Sequence, residues 1–465
     1  MTRNQRSTQL LLTMTVAALV LARNGNSTAA DFRGLGFLHA EDNNSNVTGM
    51  SPDGTAVVGG SRFLGEPGSN GSPVIGVGTA AFLWTRANGL REIRSPAFPG
   101  EWIFGNGVSN SAEVVVGHPT PVPNPAQPPP FRWTALDGLE PFPGSHRITT
   151  PDYAGFSHVP NSVSGDGVVY VGATGLTANA PRQAFRYTDA GGYSYLGFLP
   201  GVEHIPLGDL YNSPVSTALA ISTDGQAIVG FSSSGRAWGQ SPIPPSIDPY
   251  NGSEAFIWQQ ATGMVGLGDL PGGFFSSQAS AVSADHRTVV GMSSIERGNE
   301  AFRWTEATGM IGLGYLFDDF KFSHATGVSA DGSRIVGSTV VNAVLQPGDP
   351  NYADEVEYAA FIWDFEHGMR DLKSVLESEH GLDLTGWQLT SAVDISDDGL
   401  VIAGNGINPL GQSEGWVVRL EAIPEPATLV LFVVGACGIV MWRRPAWKGL
   451  QAQGSGGQQG SGLGQ

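Results

Sequence analysis

The side chains best suited to chemistry in this chain lie in its irregular stretches. Glu203 with Asp209, and the adjacent Asp318 and Asp319, are acid pairs. Two carboxylates facing one another can cleave a glycosidic bond, one as acid and the other as base or nucleophile. Held apart from any such geometry, the same acids are solvated loop charges. Trp102 and Trp238 stand outside any recurrent pattern and are suited to stacking on sugar rings. These six residues form the candidate ligand-binding set. No catalytic residue is assigned. The nine His are scattered without metal-ligand spacing, and no Ser or Cys stands with His158, His204 or His324 in a nucleophile motif. Asp394-Ile395-Ser396-Asp397-Asp398-Gly399 has the oxygen spacing that opens a calcium loop. Its twelfth position is Asn405 rather than the bidentate Glu, so it reads as a turn. Neither a metal nor a cofactor is expected.

What must position these residues is a repeat. A Ser-x-Asp-Gly turn, a Val-Val-Gly run and an Ala-Phe-x-Trp run return seven times, with leading serines at 51, 109, 164, 222, 283, 329 and 396. The closing aromatics are Trp84, Trp133, Tyr187, Trp258, Trp304, Trp363 and Trp416, about 55 residues apart on average. Each repeat reads as four short strands. The first ends at the Asp-Gly turn, since Gly tolerates positive φ and Asp caps it. The β-branched run is the second, Ala-Phe-x-Trp the third, and a run such as Met310 to Gly314 the fourth. Phe and Trp two residues apart share one face of a strand. A sheet apolar on both faces needs cover on both, which stacked blades provide. The expected fold is therefore all-β: a seven-bladed β-propeller of four-stranded antiparallel blades over residues 31–421. Phe32 to Leu38 reads as a fourth strand with no third strand before it. Trp416 to Leu420 reads as a third strand with no fourth after it. Pairing them closes the ring and removes an open edge.

In such a blade the tight turns share one rim and the longer connections the other. Connections 61–79, 118–130, 173–182, 231–253 and 338–358 vary, as do 200–216 and 372–390, with a short helix expected in 368–380. Ligand binding is expected on that variable rim. The Trp series reads as core, and Arg132, Arg186 and Arg303 as stems packed between blades.

Composition fits this reading. Gly at 65 and Pro at 31 in 465 residues suit many tight turns, and charged residues are only 14%. The one Cys, Cys437, lies outside the repeats, so the body holds together by burial and strand pairing. A net charge of −18 excludes nucleic acid and anionic lipid surfaces as partners.

The ends give an address. Arg3 and Arg6, the apolar run Leu10 to Ala22 and the small residues Thr28-Ala29-Ala30 read as a signal peptide over residues 1–30. Pro424-Glu425-Pro426 precedes an apolar run from Ala427 to Trp442, then Arg443 and Arg444. Such a run is marginal for a spanning helix, and arginines after it stay cytoplasmic. Segment 422–447 resembles the PEP-CTERM sorting signal of Gram-negative bacteria that make extracellular polymers. The resemblance implies recognition by an exosortase-type membrane peptidase, with transient anchoring in the inner membrane through the C-terminal helix. The Gly/Gln/Ser-rich tail 448–465 departs from that family, whose members stop soon after the arginines, and reads as disordered. The repeats resemble the HAF-type extracellular repeat of bacterial surface proteins. They depart at its His, which is Ala80, Gln183, Glu254, Glu300 or Ala359 here. Two function classes follow. One is an exported, non-catalytic binding or structural module at the cell surface, for extracellular polysaccharide or a surface protein. The other is a propeller enzyme, a glycoside hydrolase or lyase, acting on such a polymer.

Overall fold

A computed structural model of the protein describes residues 29–62, 79–94, 103–119, 129–150, 153–175, 182–202, 214–236, 253–318, 320–346 and 349–420. Residues Ala29–Glu421 form one compact unit. Among the described residues it is all-β apart from a turn of 3-10 helix at Asn110–Ala112 and a helix, α1 (Leu372–Ser378). That helix falls where the sequence places one. Asp371 caps it, its carboxylate accepting from the Ser374 amide at 2.7 Å.

The strands group into antiparallel sets of four. Set 1 is Asn44–Met50, Ala56–Arg62, Thr79–Thr85 and Gly89–Glu92. Set 2 is Ile103–Val108, Val114–Pro119, Phe131–Thr134 and Gly138–Pro141. Set 3 is His158–Val163, Tyr170–Thr174, Ala184–Thr188 and Gly192–Gly197. Set 4 is Ser216–Ile221, Ala227–Ser233, Ser253–Gln259 and Gly263–Gly266. Set 5 is Ser277–Val282, Val289–Ile295, Gly298–Thr305 and Gly309–Gly312. Set 6 is Lys321–Val328, Arg334–Gln346, Asp349–Asp364 and Gly368–Asp371. Set 7 is Gln388–Ile395, Val401–Ile407 and Ser413–Arg419, with Asp31–Gly34 antiparallel to Ser413–Arg419. Short parallel pairings stitch Asn44 to Ser413 and Gly298–Asn299 to Lys321–Phe322. A separate hairpin, Arg147–Thr150 with Tyr153–Phe156, lies between sets 2 and 3.

The motif residues have legible jobs. In six turns the buried leading Ser donates to the Asp two residues on, as Ser51 does to Asp53 at 2.6 Å and Ser283 to Asp285 at 2.6 Å. The same hydroxyl accepts the amide five residues on, Ala56 at 3.0 Å in the first turn. The Asn110 turn has no Asp there and takes positive φ at Ser111 and Ala112 instead. The first strand of every set carries a β-bulge three residues before that Ser. The extra residues are Thr48, Asn106, Asn161, Leu219, Ser280, Thr326 and Val393. Two residues before each bulge, the carbonyl crowds the Gly of Val-Val-Gly. A Cβ on Gly291 would sit 2.0 Å from the Gln278 oxygen, and one on Gly230 1.9 Å from that of Thr217. This crowding is why the second strand carries Gly after its two β-branched or small residues. Opposite six of these glycines lies the Phe of the third strand, fully buried each time, as Phe302 is opposite Gly291.

Three expectations change here. Trp416 pairs with Gly404, so it occupies the Phe place of its set rather than the closing-aromatic place, which Val418 takes. Its ring fills the space a Gly404 Cβ would need. Of the closing aromatics, Trp84, Trp133 and Trp363 are buried, whereas Tyr187, Trp258 and Trp304 are only partly so. Residues 338–358, read as a loop, are instead the paired arms of a long hairpin, with register running to Gln346 opposite Asp349. Val340, Val344 and Leu345 favour strand, which a length-based loop reading overlooks.

Candidate functional site

The first strands of the seven sets line a common cavity of about 200 Å³. Their bulges tie set to set. Thr48 Oγ1 donates to the Gly105 carbonyl, Asn106 Nδ2 to Pro160 at 3.2 Å, Asn161 Nδ2 to Ala218 at 2.8 Å and Thr326 Oγ1 to Ala392 at 2.9 Å. Ser280 Oγ lies 2.8 Å from His324 Nε2 at the matching joint of sets 5 and 6. Burial holds the His324 imidazole down at about 4, so it is neutral and serves as a joint. Where set 7 meets set 1, Asn405 brackets Val47, accepting from its amide at 2.7 Å and donating to its carbonyl at 3.0 Å.

The Ser-x-Asp-Gly turns close one end of this cavity. Their second residues bond backbone to backbone: Asn110 N to Gly165 O at 2.9 Å and Gly165 N to Thr223 O at 2.8 Å. Ala330 N bonds to Asp397 O at 3.0 Å, and Asp397 N to Pro52 O at 2.7 Å. Sets 4 and 5 meet differently. Leu219 offers no polar group there, and His286 Nε2 lies 2.9 Å from Asp224 Oδ1 instead.

One acid breaks the near-symmetry. Two residues before each leading Ser stand Gly49, Gly107, Ser162, Ala220, Ala281 and Gly327, and in set 7 Asp394. Small residues suit the place because the next strand passes close by: a Cβ on Gly49 would lie 2.3 Å from the Asn106 oxygen. The Asp394 carboxyl is enclosed by protein, although the residue keeps some surface where it borders the cavity. Burial, together with nearby Asp397, pushes it up to about 7 against the Ile395 amide that it accepts. Burial likewise raises Asp397, helped by Asp398 and Asp53 and opposed by the Thr223 hydroxyl, which donates to it at 2.9 Å across from set 4. Asp398 receives the Ser396 hydroxyl and serves the turn. The run 394–399 is thus a turn with two of its acids facing the cavity.

At the opposite end, where connections are long, a cleft of about 250 Å³ opens between sets 5 and 6. Tyr315, Lys321, Glu300, Glu296 and Arg297 line it. Lys321 Nζ sits 5.0 Å from the Tyr315 ring centre, and the pairing raises its basicity, with Asp318 adding to it. Glu300 Oε1 accepts the Gly314 amide at 2.9 Å, just as Glu254 accepts Gly268 at 3.1 Å and Glu414 accepts Gly36 at 2.8 Å. The residue before Ala-Phe therefore fastens the connection that leaves its own sheet.

Of the residues singled out from the sequence, Asp318 is exposed beside this cleft. Trp102, Trp238, Glu203, Asp209 and Asp319 lie outside the described residues, as do Pro424, Glu425, Pro426, Arg443 and Arg444. Arg132 bridges two sets, donating to Asp189 at 2.9 and 2.8 Å and to Glu140 at 2.6 Å, and Arg303 lies 4.8 Å over Phe365. Among the described residues there is no cluster of three metal-ligating side chains and no helix long and apolar enough to cross a membrane. Tyr315, Lys321, Asp394 and Asp397 were not singled out as ligand-binding residues. Asp394 was nonetheless readable by aligning the repeats, where it replaces a small residue.

No known family and no curated protein matches the sequence. Solved structures that resemble it include an oligogalacturonate lyase from Vibrio parahaemolyticus, at 8% identity over 84% of this chain and 97% of that one, TM-score 0.45. TolB from Acinetobacter baumannii shares 12% identity over 69% of this chain, TM-score 0.38, and the chain spans 63% of TolB's length. YCF48 bound to a D1 peptide shares 10% identity over 86% of this chain and 98% of that one, TM-score 0.38.

Proposed function

We propose that the protein is an exported, closed seven-bladed β-propeller that acts at the cell surface as a non-catalytic module binding extracellular polysaccharide. Each four-strand set is one blade, and Asp31–Gly34 completes the last. In support, that strand bonds as the other fourth strands do. Leu35 N meets Gly415 O at 2.8 Å, as Leu313 N meets Ala301 O. The first strands also touch in cyclic order, that of set 7 reaching that of set 1. Residues 1–30 and 422–447 carry the address, with an exosortase-type peptidase as processing partner and the C-terminal helix as transient anchor.

The observation that carries the binding reading is the cleft at the long-connection end. The recurrent polar residues of the repeat are bonded into turns and joints, so recognition falls to residues that do not recur. There Tyr315 supplies an aromatic ring, and Glu296, Arg297 and Lys321 supply charged hydrogen-bonding groups, a combination suited to sugar hydroxyls and acidic substituents. The test is a glycan array followed by titration of the purified full chain. Tyr315→Ala and Lys321→Ala should each weaken binding of the best acidic oligosaccharide about tenfold, about 1.4 kcal/mol, with little change in Tm. Binding unaffected by both changes, or the appearance of new reducing or unsaturated ends during incubation, would overturn it. Deleting residues 31–40 should uncover Trp416 and the Ser413–Arg419 edge and cause aggregation. A soluble, equally stable deletion product would refute closure.

A further inference from the structure

The end of the central cavity bounded by the Ser-x-Asp-Gly turns carries a second kind of site. Asp394 Oδ1 accepts the Ile395 amide at 2.8 Å. No described residue donates to Oδ2, and that atom is not among the polar atoms sealed away without a partner, so it opens on the cavity. Asp397, three residues on, also lines the cavity, and its Oδ2 accepts the Thr223 hydroxyl of set 4. No Lys, Arg or His lines the cavity among the described residues. Two acids therefore face a confined space with no protein cation to balance them. An unpaired carboxylate so enclosed is costly, and it is relieved either by taking up a proton or by gaining a counter-charge. The six other sets keep the equivalent place small, so the acid is not required by the fold.

We propose that this end of the cavity binds one hard divalent cation, calcium by its ligand chemistry, between the carboxylates of Asp394 and Asp397. The other polar residues lining the cavity, Thr223 and Ser162 among them, offer oxygens, with neither His nor Cys to favour a softer metal. Calcium accepts six to eight oxygens in irregular geometry, whereas magnesium holds to a strict octahedron and gives up its waters reluctantly. A space of about 200 Å³ holds an ion with several waters, each taking about 30 Å³. Two carboxylates neutralise one divalent charge. This site is independent of the cleft between sets 5 and 6 and lies at the other end of the molecule.

The test is equilibrium dialysis and isothermal titration of the purified full chain with calcium chloride after chelator treatment, repeated with magnesium chloride. The wild type should bind one calcium per chain, with a higher Tm. Magnesium should bind at least tenfold more weakly. Asp394→Gly restores the residue of sets 1, 2 and 6 and should fold normally while losing the calcium-dependent Tm shift. Asp397→Asn should weaken binding about tenfold or more. Absence of calcium binding by the folded wild type, or unchanged binding in folded Asp394→Gly, would overturn the proposal.

Discussion

Phe302→Ala tests the reading that the Phe of each third strand, seated against a glycine, is the centre of its blade. Phe302 is fully buried, opposite Gly291 and in one core cluster with Val289, Val229, Leu267 and Leu270 of sets 4 and 5 and their connection. Losing its ring returns about 100–120 Å² of apolar burial, or about 2.5–3 kcal/mol at about 25 cal/mol per Å². The glycine opposite leaves nothing to collapse into the gap. A residual void of about 50 Å³ adds about 1 kcal/mol at about 24 cal/mol per Å³. The total is about 4 kcal/mol. Spread over the about 390 residues of Ala29–Glu421, with about 2.1 cal/mol/K of unfolding entropy per residue, that lowers Tm by about 5 °C. Trp304, two residues on along the same strand, keeps part of its ring in solvent. Its truncation should cost about half as much, despite the larger side chain. Differential scanning calorimetry and urea melts of the two variants would measure this. If Trp304→Ala proves the more destabilising, the Phe–Gly pair is not the organising contact.

Gly291→Ala should destabilise by about 1–3 kcal/mol or more, because its Cβ would lie 2.0 Å from the Gln278 carbonyl, and the bulge must shift to admit it; urea melts would read this, and a neutral result would undo the link between bulge and glycine. Asp53, Asp224 and Asp331 are each raised by burial but lowered further by the hydrogen bonds of their turns, ending below the usual carboxylate value. Their contribution to stability is present above about pH 4, the unfolded value, and is lost as pH falls through their folded values; an acid titration of Ser51→Ala should show a smaller acid-side loss than wild type. Asp394 behaves in the opposite sense. Its folded value of about 7 exceeds the unfolded one, so the metal-free protein loses stability from about pH 4 up to about pH 7 and levels off above. In chelator, Asp394→Asn should therefore gain on wild type as pH rises through that window, and parallel pH–Tm curves for the two would refute it.

The repeat made the strand class, the turn positions and the α1 region legible, because Asp-Gly turns, β-branched runs and helix caps are local signals within a few residues of one another. The pairing of the first strand with the last could also be argued, since each lacks a partner in sequence. The site was less legible. The acids and tryptophans that looked suited to chemistry were chosen for standing outside the pattern. Tyr315 and Lys321, near the two ends of the one connection from set 5 to set 6, come together only because that connection folds back on itself. Trp416 shows the limit within the pattern itself: the sequence places an aromatic in the third strand, but pairing to Gly404 decides that it fills the Phe position. The chain alone determined the recurrent strands and their tight turns, though not the long hairpin of 338–358, because those depend on backbone conformations set by adjacent side chains. Only the tertiary structure decided which residues face the central cavity. That depends on a bulge in each first strand, which shifts the side-chain alternation by one residue, and on the close approach of seven such strands, which turns Asp394 from a turn-side acid into an enclosed one.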